Sequence, residues 1–309
     1  MLDLYKLQIF SVVVQEGSFS AAAERLYITQ SAVSQHIKEL EASLGRQLFQ
    51  RGWRGVKLTP HGEILSRYAG EIFALVAQAE NALTDIDRLS SGRVSIGATL
   101  GVGIYLAPDW VQHFRARYPQ LTVALQTGVT STIVNDVLGQ RLDIGFIEGE
   151  LDEHPPARLS SLVLEQIEQK VVVGFKHPFW DYDSLRIEDL RQKSLIVREE
   201  NSQSRIWLER ILHQHHIEPM IGAEFDNLES MKRAVSIGMC LAVLPPYVVQ
   251  TEVDQHLLRM IPIEGKPFSR SLKLIWDTNV HFSPITRAFL GELSQRYSAL
   301  RGLLQQMSS

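Results

Sequence analysis

A chain of 309 residues with 45% apolar content can bury sizeable cores, and its length favours two or more domains over one. The net charge of −4 is uneven: residues 1–60 hold seven Lys/Arg against five Asp/Glu, or +2, which leaves −6 for the remainder and points to a polyanion partner at the N-terminal end. One cysteine, Cys240, excludes an intramolecular disulfide and any multi-thiolate metal site; with no export signal and no apolar run of about 18 residues, the expectation is a cytoplasmic protein that avoids membranes.

Leu4, Leu7, Phe10 and Val14, with Val13 adjoining, recur at helical spacing and predict a first helix that ends near Glu16 and Gly17. Ser18 offers an N-cap to a short alanine-rich helix over 18–26, whose small side chains let another helix approach closely. After a turn at Tyr27 and Ile28, Thr29 caps a helix over 30–41. One stripe of that helix is Val33, Ile37 and Leu40; the opposite stripe is Gln30, Ser31, Ser34, Gln35 and Lys38. Arg46, Arg51, Arg54 and Lys57 then follow with no acid among them, either as a nucleic-acid contact or as a solvated basic loop.

Thr59 and Pro60 open a long helix that runs to residues 90–92, weakened by Gly62 and Gly70. Leu65, Tyr68, Ile72, Leu75, Ala79, Ala82, Ile86 and Leu89 keep a heptad seam along it, which predicts a coiled-coil partner; a helix packed within its own domain is the alternative. From residue 93 the pattern becomes α/β. Strands are predicted over 93–98, 121–126 and 143–148 with helices over 105–118 and 131–138 between them, so a parallel sheet is expected. Further strands are read at 162–168, 170–175, 194–198, 241–244 and 272–276, and helices at 204–213, 227–235 and from 284 to about 303. The organisation is therefore 1–58, 59–92 and 93–309.

In a helix-turn-helix, the first helix braces a second whose outward donors and acceptors bond base edges in the major groove. Gln30, Ser31, Ser34, Gln35 and Lys38 supply those groups, while Ala22, Ala23, Leu26, Ile28, Val33 and Ile37 have the small or apolar character that closes two crossing helices. A small bundle with a solvated polar face is the competing reading.

The segments Gly17-Ser18-Phe19-Ser20, Ala22-Ala23, Gln30-Ser31-Ala32-Val33-Ser34, Leu40-Glu41, Leu44-Gly45, Leu48-Phe49-Gln50-Arg51, Arg54 and Leu58-Thr59 together resemble the LysR-type transcriptional regulators. The resemblance implies a winged helix-turn-helix over 1–58, a dimerising linker helix over 59–92, and two α/β subdomains like those of periplasmic binding proteins, one of 93–163 with 267–309 and one of 164–266. It implies DNA contacts from Ser18, Ser20, Thr29, Gln30, Ser31, Ser34, Gln35, Lys38, Arg51 and Arg54, with the two arginines on a wing over 47–58 that reaches phosphates or the minor groove. The implied partners are promoter DNA, a small-molecule effector, a second copy joined through the linker helix and further copies in a tetramer, and RNA polymerase. Tyr27 departs from the glycine common in such turns.

The effector is expected where strand 93–98 runs into Thr99, Leu100 and Gly101, because free amides at a helix N-terminus attract anions. A polar loop with Arg198, Asn201 and Ser202 looks like the family's opposite wall, and Thr130 is a further candidate; each hydroxyl serves equally as an ordinary N-cap. Relatives often carry further hydroxyls where this chain has Leu100 and Gly101, a departure that counts against an inorganic anion and allows a larger or more apolar metabolite. No phosphate loop, dinucleotide fingerprint or nucleophile elbow occurs, and His213, His215 and His216 read as a solvated helix end, so neither an enzyme nor a cofactor or metal is expected.

Overall fold

The computed structural model describes residues 2–52, 55–82, 91–151, 155–265 and 268–306. The chain forms two compact units, Met1–Leu83 and Thr84–Ser309. The first contains helices α1 (Leu4–Glu16), α2 (Phe19–Leu26) and α3 (Gln30–Leu44), antiparallel strands β1 (Phe49–Gly52) and β2 (Gly55–Leu58), and helix α4 (Pro60–Ala82). Every one of these helices starts at a side-chain oxygen that accepts a first-turn amide: Asp3 from Tyr5 (2.8 Å), Ser18 from Ala21 (3.4 Å), Thr29 from Ala32 (3.2 Å) and Thr59 from Gly62 (3.1 Å). Gly17 and Gly45, at φ +62° and +63°, stop α1 and α3 in the left-handed region. Tyr27 stops α2 in the same way at φ +55°, with its ring 96% exposed.

Leu7, Phe10 and Val13 of α1, Ala22 and Ala23 of α2, and Val33, Ile37 and Leu40 of α3 share one core, against which Leu26 and Ile28 pack. Leu4, read as part of the α1 stripe, is instead exposed. The strands are tied to the helices: the Glu41 carboxylate accepts from the Leu48 amide at 2.7 Å and the Phe49 amide at 3.3 Å, and the Val56 amide donates to Gly17 O at 3.2 Å. The α4 seam divides. Leu65, Ala69, Ile72 and Phe73 pack on this unit's own core, whereas Ile64, Tyr68 and Leu75 are 48%, 52% and 61% exposed. The apolar stripe left for a partner is thus narrower than the heptad pattern predicts, because one edge of it already closes the domain. Ile86 and Leu89 lie outside the described residues, as do the Ala79 and Ala82 side chains and the stretch 83–90 of the expected linker helix.

The second unit begins with β3 (Gly92–Thr99), α5 (Leu100–Tyr105), α6 (Ala107–Arg117), β4 (Leu121–Gly128), α7 (Thr130–Leu138), β5 (Ile144–Glu148) and β6 (Leu159–Glu168). It continues through β7 (Lys170–Gly174), β8 (Ser194–Arg198), α8 (Gln203–Gln214), β9 (Met220–Phe225), α9 (Leu228–Ser236), β10 (Ala242–Leu244), α10 (Pro246–Asp254) and β11 (Leu258–Ile261), and returns with β12 (Ser269–Asp277), α11 (Pro284–Leu293) and α12 (Ala299–Gln306). The helix expected over 105–118 is α6, and a further helix, α5, precedes it, separated where Pro108 cannot donate to the preceding turn.

One sheet has the order β4-β3-β5-β12-β6, parallel in β4-β3-β5 and antiparallel around β12. The sheet is therefore mixed rather than parallel throughout, because β12 enters it on the return from the second subdomain. That subdomain holds β10-β7-β11, antiparallel, and the parallel pair β8-β9, joined to β10 through Leu195 and Leu241. Since β6 keeps pairing with β12 as far as Glu168, the chain changes subdomain at Gln169, later than the division expected after residue 163. Trp110, Phe114, Phe146 and Phe289 centre one core, and Leu195, Trp207, Leu212 and Phe268 another.

Gly62 is buried, and a Cβ there would lie 2.1 Å from the Leu48 carbonyl oxygen, whereas one at Gly70 meets nothing within 4 Å. Gly62→Ala is expected to destabilise the N-terminal unit by about 1–3 kcal/mol and Gly70→Ala to stabilise it by about 0.5–1 kcal/mol. Denaturant titrations followed by circular dichroism would detect the opposite signs.

Candidate nucleic-acid interface and effector cleft

The structure separates the two stripes of α3. Val33, Ile37 and Leu40 are buried, while Gln30, Ser31, Gln35 and Lys38 are exposed and Ser34 is half-buried beside them. Thr29 and Ser31 share a hydroxyl hydrogen bond of 3.0 Å at the start of α3, and Gln35 donates to Glu39, which also pairs with Lys6 of α1 at 2.8 Å. That pair raises the Lys6 pKa and lowers that of Glu39 through their mutual hydrogen bond. Gln30 and Lys38 therefore project with no hydrogen bond to the rest of the described chain. Ser18 is engaged as the cap of α2, and Ser20 is exposed on that helix. Arg51 lies in β1 opposite Val56, with its side chain outside the described residues, and Arg54 lies outside them altogether.

In the second unit, a cleft with about 90 Å³ of free volume opens between the subdomains. Thr99, Leu100, Gly101 and Thr130 line it from the first subdomain, and Arg198 and Ser202 from the second. Asn201, expected among them, is exposed and does not line the cavity, because the loop turns it outward just before α8 begins. Capping does not occupy the hydroxyls: α5, α7 and α8 have no side-chain cap. Thr99 Oγ1 accepts from the Glu148 amide at 3.2 Å, and Ser202 Oγ bonds Ser204 Oγ at 2.7 Å.

Sequence reasoning missed the floor. Glu148, 6% exposed at the end of β5, accepts from Arg270 Nη1 at 2.9 Å, Gln169 Nε2 at 3.1 Å and the Tyr247 hydroxyl, while Arg270 Nη2 also donates to Glu148 O at 2.7 Å. Burial, with the neighbouring Glu148 charge, pushes the Tyr247 phenol well above its ordinary pKa, so this hydroxyl stays a donor. It also abuts Gly101, where a Cβ would come within 2.9 Å of it, and so fills the space above the start of α5. Arg270 crosses Gly149, whose φ of +112° and missing Cβ leave room for the guanidinium, and its Cζ lies 5.8 Å from the Trp207 ring centroid. These residues come from four distant segments, and no local pattern marks them.

A polar latch bridges the subdomains beside the cleft. The Tyr105 hydroxyl at the end of α5 donates to Glu229 of α9, and Lys232 pairs with Glu229 at 2.8 Å and with Glu252 of α10 at 2.7 Å while lying 5.1 Å from the Tyr105 ring centroid. Burial and the Glu229 bond push the Tyr105 pKa to about 12. For Lys232, burial would lower the pKa, but the bonds to Glu229 and Glu252 raise it on balance. For Glu229, burial would raise the pKa, but bonds from Lys232 and Tyr105 hold it low. Elsewhere, His213 and His215 face Glu218 and Glu188 separately, and among the described residues no group of three ligating side chains could hold a metal.

A helix-turn-helix with a strand pair in one unit, and two α/β subdomains enclosing a small polar cleft in the other, define a DNA-binding protein that senses a ligand. Residues 4–63 match the family described as bacterial regulatory helix-turn-helix protein, lysR family, and residues 87–298 match the LysR substrate binding domain. The chain belongs to the LysR family of transcriptional regulators, which are not enzymes: it is a DNA-binding regulator with an effector-binding domain. It is 32% identical to a probable RuBisCO transcriptional regulator of Cyanidioschyzon merolae, over 94% of this chain and 97% of that protein. Full-length OxyR of Pseudomonas aeruginosa superposes with a TM-score of 0.73 at 23% identity, covering 97% of this chain and 95% of that one. CbnR in complex with its target DNA gives 0.69 at 20% identity, covering 95% of this chain and 99% of that one.

Because the folded-state pKa of Glu229 is depressed, the stability it contributes is present above its ordinary pKa near ~4.3 and is lost as pH falls through the lower folded value. Tyr105→Phe removes one of the two bonds that hold it down. The melting temperature of this variant's C-terminal unit is expected to fall less steeply between about pH 5.5 and pH 3.5 than that of the parent, as read by calorimetry.

Proposed function

We propose that α3 enters the major groove and reads bases through Gln30, Ser31, Ser34 and Gln35, with Lys38 on guanine or phosphate. The observation that carries this reading is the exposed stripe of short donors and acceptors on a helix whose other side is the domain core. Ser18, Ser20 and Thr29 lie at the starts of α2 and α3, where their hydroxyl donors and the first-turn amides left by the caps suit backbone phosphates. Arg51, in β1, and Arg54 act on phosphates or the minor groove. The regulator works in the cytoplasm, on promoter DNA.

A second copy is joined through the exposed stripe of α4 that contains Ile64, Tyr68 and Leu75. Two such dimers assemble as a tetramer, so that several α3 helices meet successive half-sites. The effector occupies the cleft lined by Thr99, Thr130, Arg198 and Ser202, with the backbone of Leu100 and Gly101 at its edge. Its binding draws the subdomains together and shifts the arrangement of dimers on DNA, and with it polymerase contact.

Gln30→Ala and Ser34→Ala are expected to reduce discrimination between operator and random DNA, by about 1–3 kcal/mol where a bidentate base contact is lost, whereas Arg51→Ala weakens binding to all DNA and lowers the salt slope by about 1. Gel-shift titrations at several salt concentrations separate the two behaviours, and unchanged selectivity in both α3 variants would refute the assignment. Leu75→Glu buries a charge at the proposed dimer contact. Analytical ultracentrifugation should find this variant dissociating at concentrations where the parent stays associated.

A further inference from the structure

The two subdomains exchange tyrosines. Tyr247 of α10 reaches from the second subdomain to Glu148 of the first, and Tyr105 of α5 reaches from the first to Glu229 of the second, with the two ring centroids 6.3 Å apart. The two acceptors differ in their access to water. Glu148 is 6% exposed and is held beside the chain crossings by Gln169 and Arg270, so parting Tyr247 from it would strip a donor from a buried carboxylate. The Glu229 side chain is 56% exposed, so water can take the place of the Tyr105 hydroxyl.

Helix α5 is an arm between two cores. Val102 and Leu106 are buried in the core of the first subdomain, whereas the Tyr105 ring packs against the core that Leu228, Met231 and Val248 help to form in the second. The buried Lys232 ammonium lies 5.1 Å from that ring's centroid, and both of its carboxylate partners, Glu229 and Glu252, belong to the second subdomain. Withdrawal of Tyr105 therefore leaves Lys232 paired as before and strands no buried charge. This seam parts at the cost of one hydrogen bond and one ring contact. The helices it joins also line the cleft, through Leu100 and Gly101 on α5 and Leu228 and Met231 on α9.

We propose that the bond from Tyr105 to Glu229 is a releasable latch that holds the two subdomains closed before any ligand binds, with the Glu148 floor as the fixed pivot. The proposal rests on the reading of the cleft as the effector site and adds what governs access to it. Tyr105 is a positioning residue, since it is not part of the cleft lining. A ligand that touches Leu100, Gly101, Leu228 or Met231 bears on the same two helices that the latch joins, so ligand and latch act on one equilibrium between closed and open arrangements.

The test is hydroxyl-radical footprinting of the ligand-free full chain, read by mass spectrometry at Met231. This side chain is 2% exposed and lines the cleft beside the latch, so it oxidises as the subdomains part, while Met239, 80% exposed, reacts in every variant and serves as the internal standard. Tyr105→Phe keeps the ring and removes the hydroxyl, and it is expected to raise Met231 oxidation about tenfold. Glu229→Ala should raise it as well, and the double variant should exceed the larger single effect by little, because both changes remove the same bond. Ile217→Val, which trims the other core of the second subdomain, controls for simple loss of stability and should leave Met231 protected. Unchanged Met231 oxidation in Tyr105→Phe, single effects that multiply in the double variant, or an equal rise in Ile217→Val overturns the latch. No ligand is present in the measurement, so a failure of the latch leaves the cleft standing as the effector site, and a cleft that bound no effector would leave the Met231 result unchanged.

Discussion

The buried pair of Glu148 and Arg270 is the interaction on which the ligand-binding half depends. Glu148 ends the last parallel strand of the first subdomain, and Arg270 opens the strand that brings the chain back from the second. Gln169, at the other crossing, and Tyr247, from the second subdomain, complete the bonding of the same carboxylate. A pair of this kind adds little net stability relative to apolar packing, but removing one partner costs about 3–5 kcal/mol. Its value here is positional: it holds four distant segments at one point beneath the cleft, and Gly149 supplies the backbone geometry that lets Arg270 lie there.

The DNA-binding half follows a different logic, in which nearly every helix boundary is set by a neighbouring side chain or glycine. Asp3, Ser18, Thr29 and Thr59 start the four helices, and Gly17 and Gly45 stop two of them. This local punctuation keeps the turn between α2 and α3 short, so that the alanines of α2 can meet Val33 and Ile37 closely. Glu41 extends the same rigidity to β1 through two backbone amides. The outward stripe of α3 is therefore carried on a support with little freedom, as base reading requires.

At the cleft, α5, α7 and α8 begin without a side-chain cap, and the nearby hydroxyls of Thr99 and Ser202 bond elsewhere. The latch of Tyr105, Glu229, Lys232 and Glu252 then ties the two walls together at one side.

Much of the N-terminal half was legible in the sequence because its signals are local. Helical periodicity, Ser and Thr caps and paired alanines act within a few residues, and they located α1 to α3, their inward faces and the outward stripe with exposed Gln30 and Gln35 and half-buried Ser34. The heptad pattern located α4 but could not say which positions the domain itself would bury; Leu65 and Ile72 turned inward while Tyr68 and Leu75 stayed exposed. In the C-terminal half, strand and helix alternation revealed the α/β class, helix starts pointed to Thr99 and Thr130, and the family resemblance pointed to Arg198 and Ser202. Tertiary structure alone decided the antiparallel entry of β12, the outward turn of Asn201, and the floor made by Glu148, Gln169, Tyr247 and Arg270. Caps and periodicity are written in neighbouring residues, but a buried charge pair between strands more than a hundred residues apart exists only once the sheet has closed.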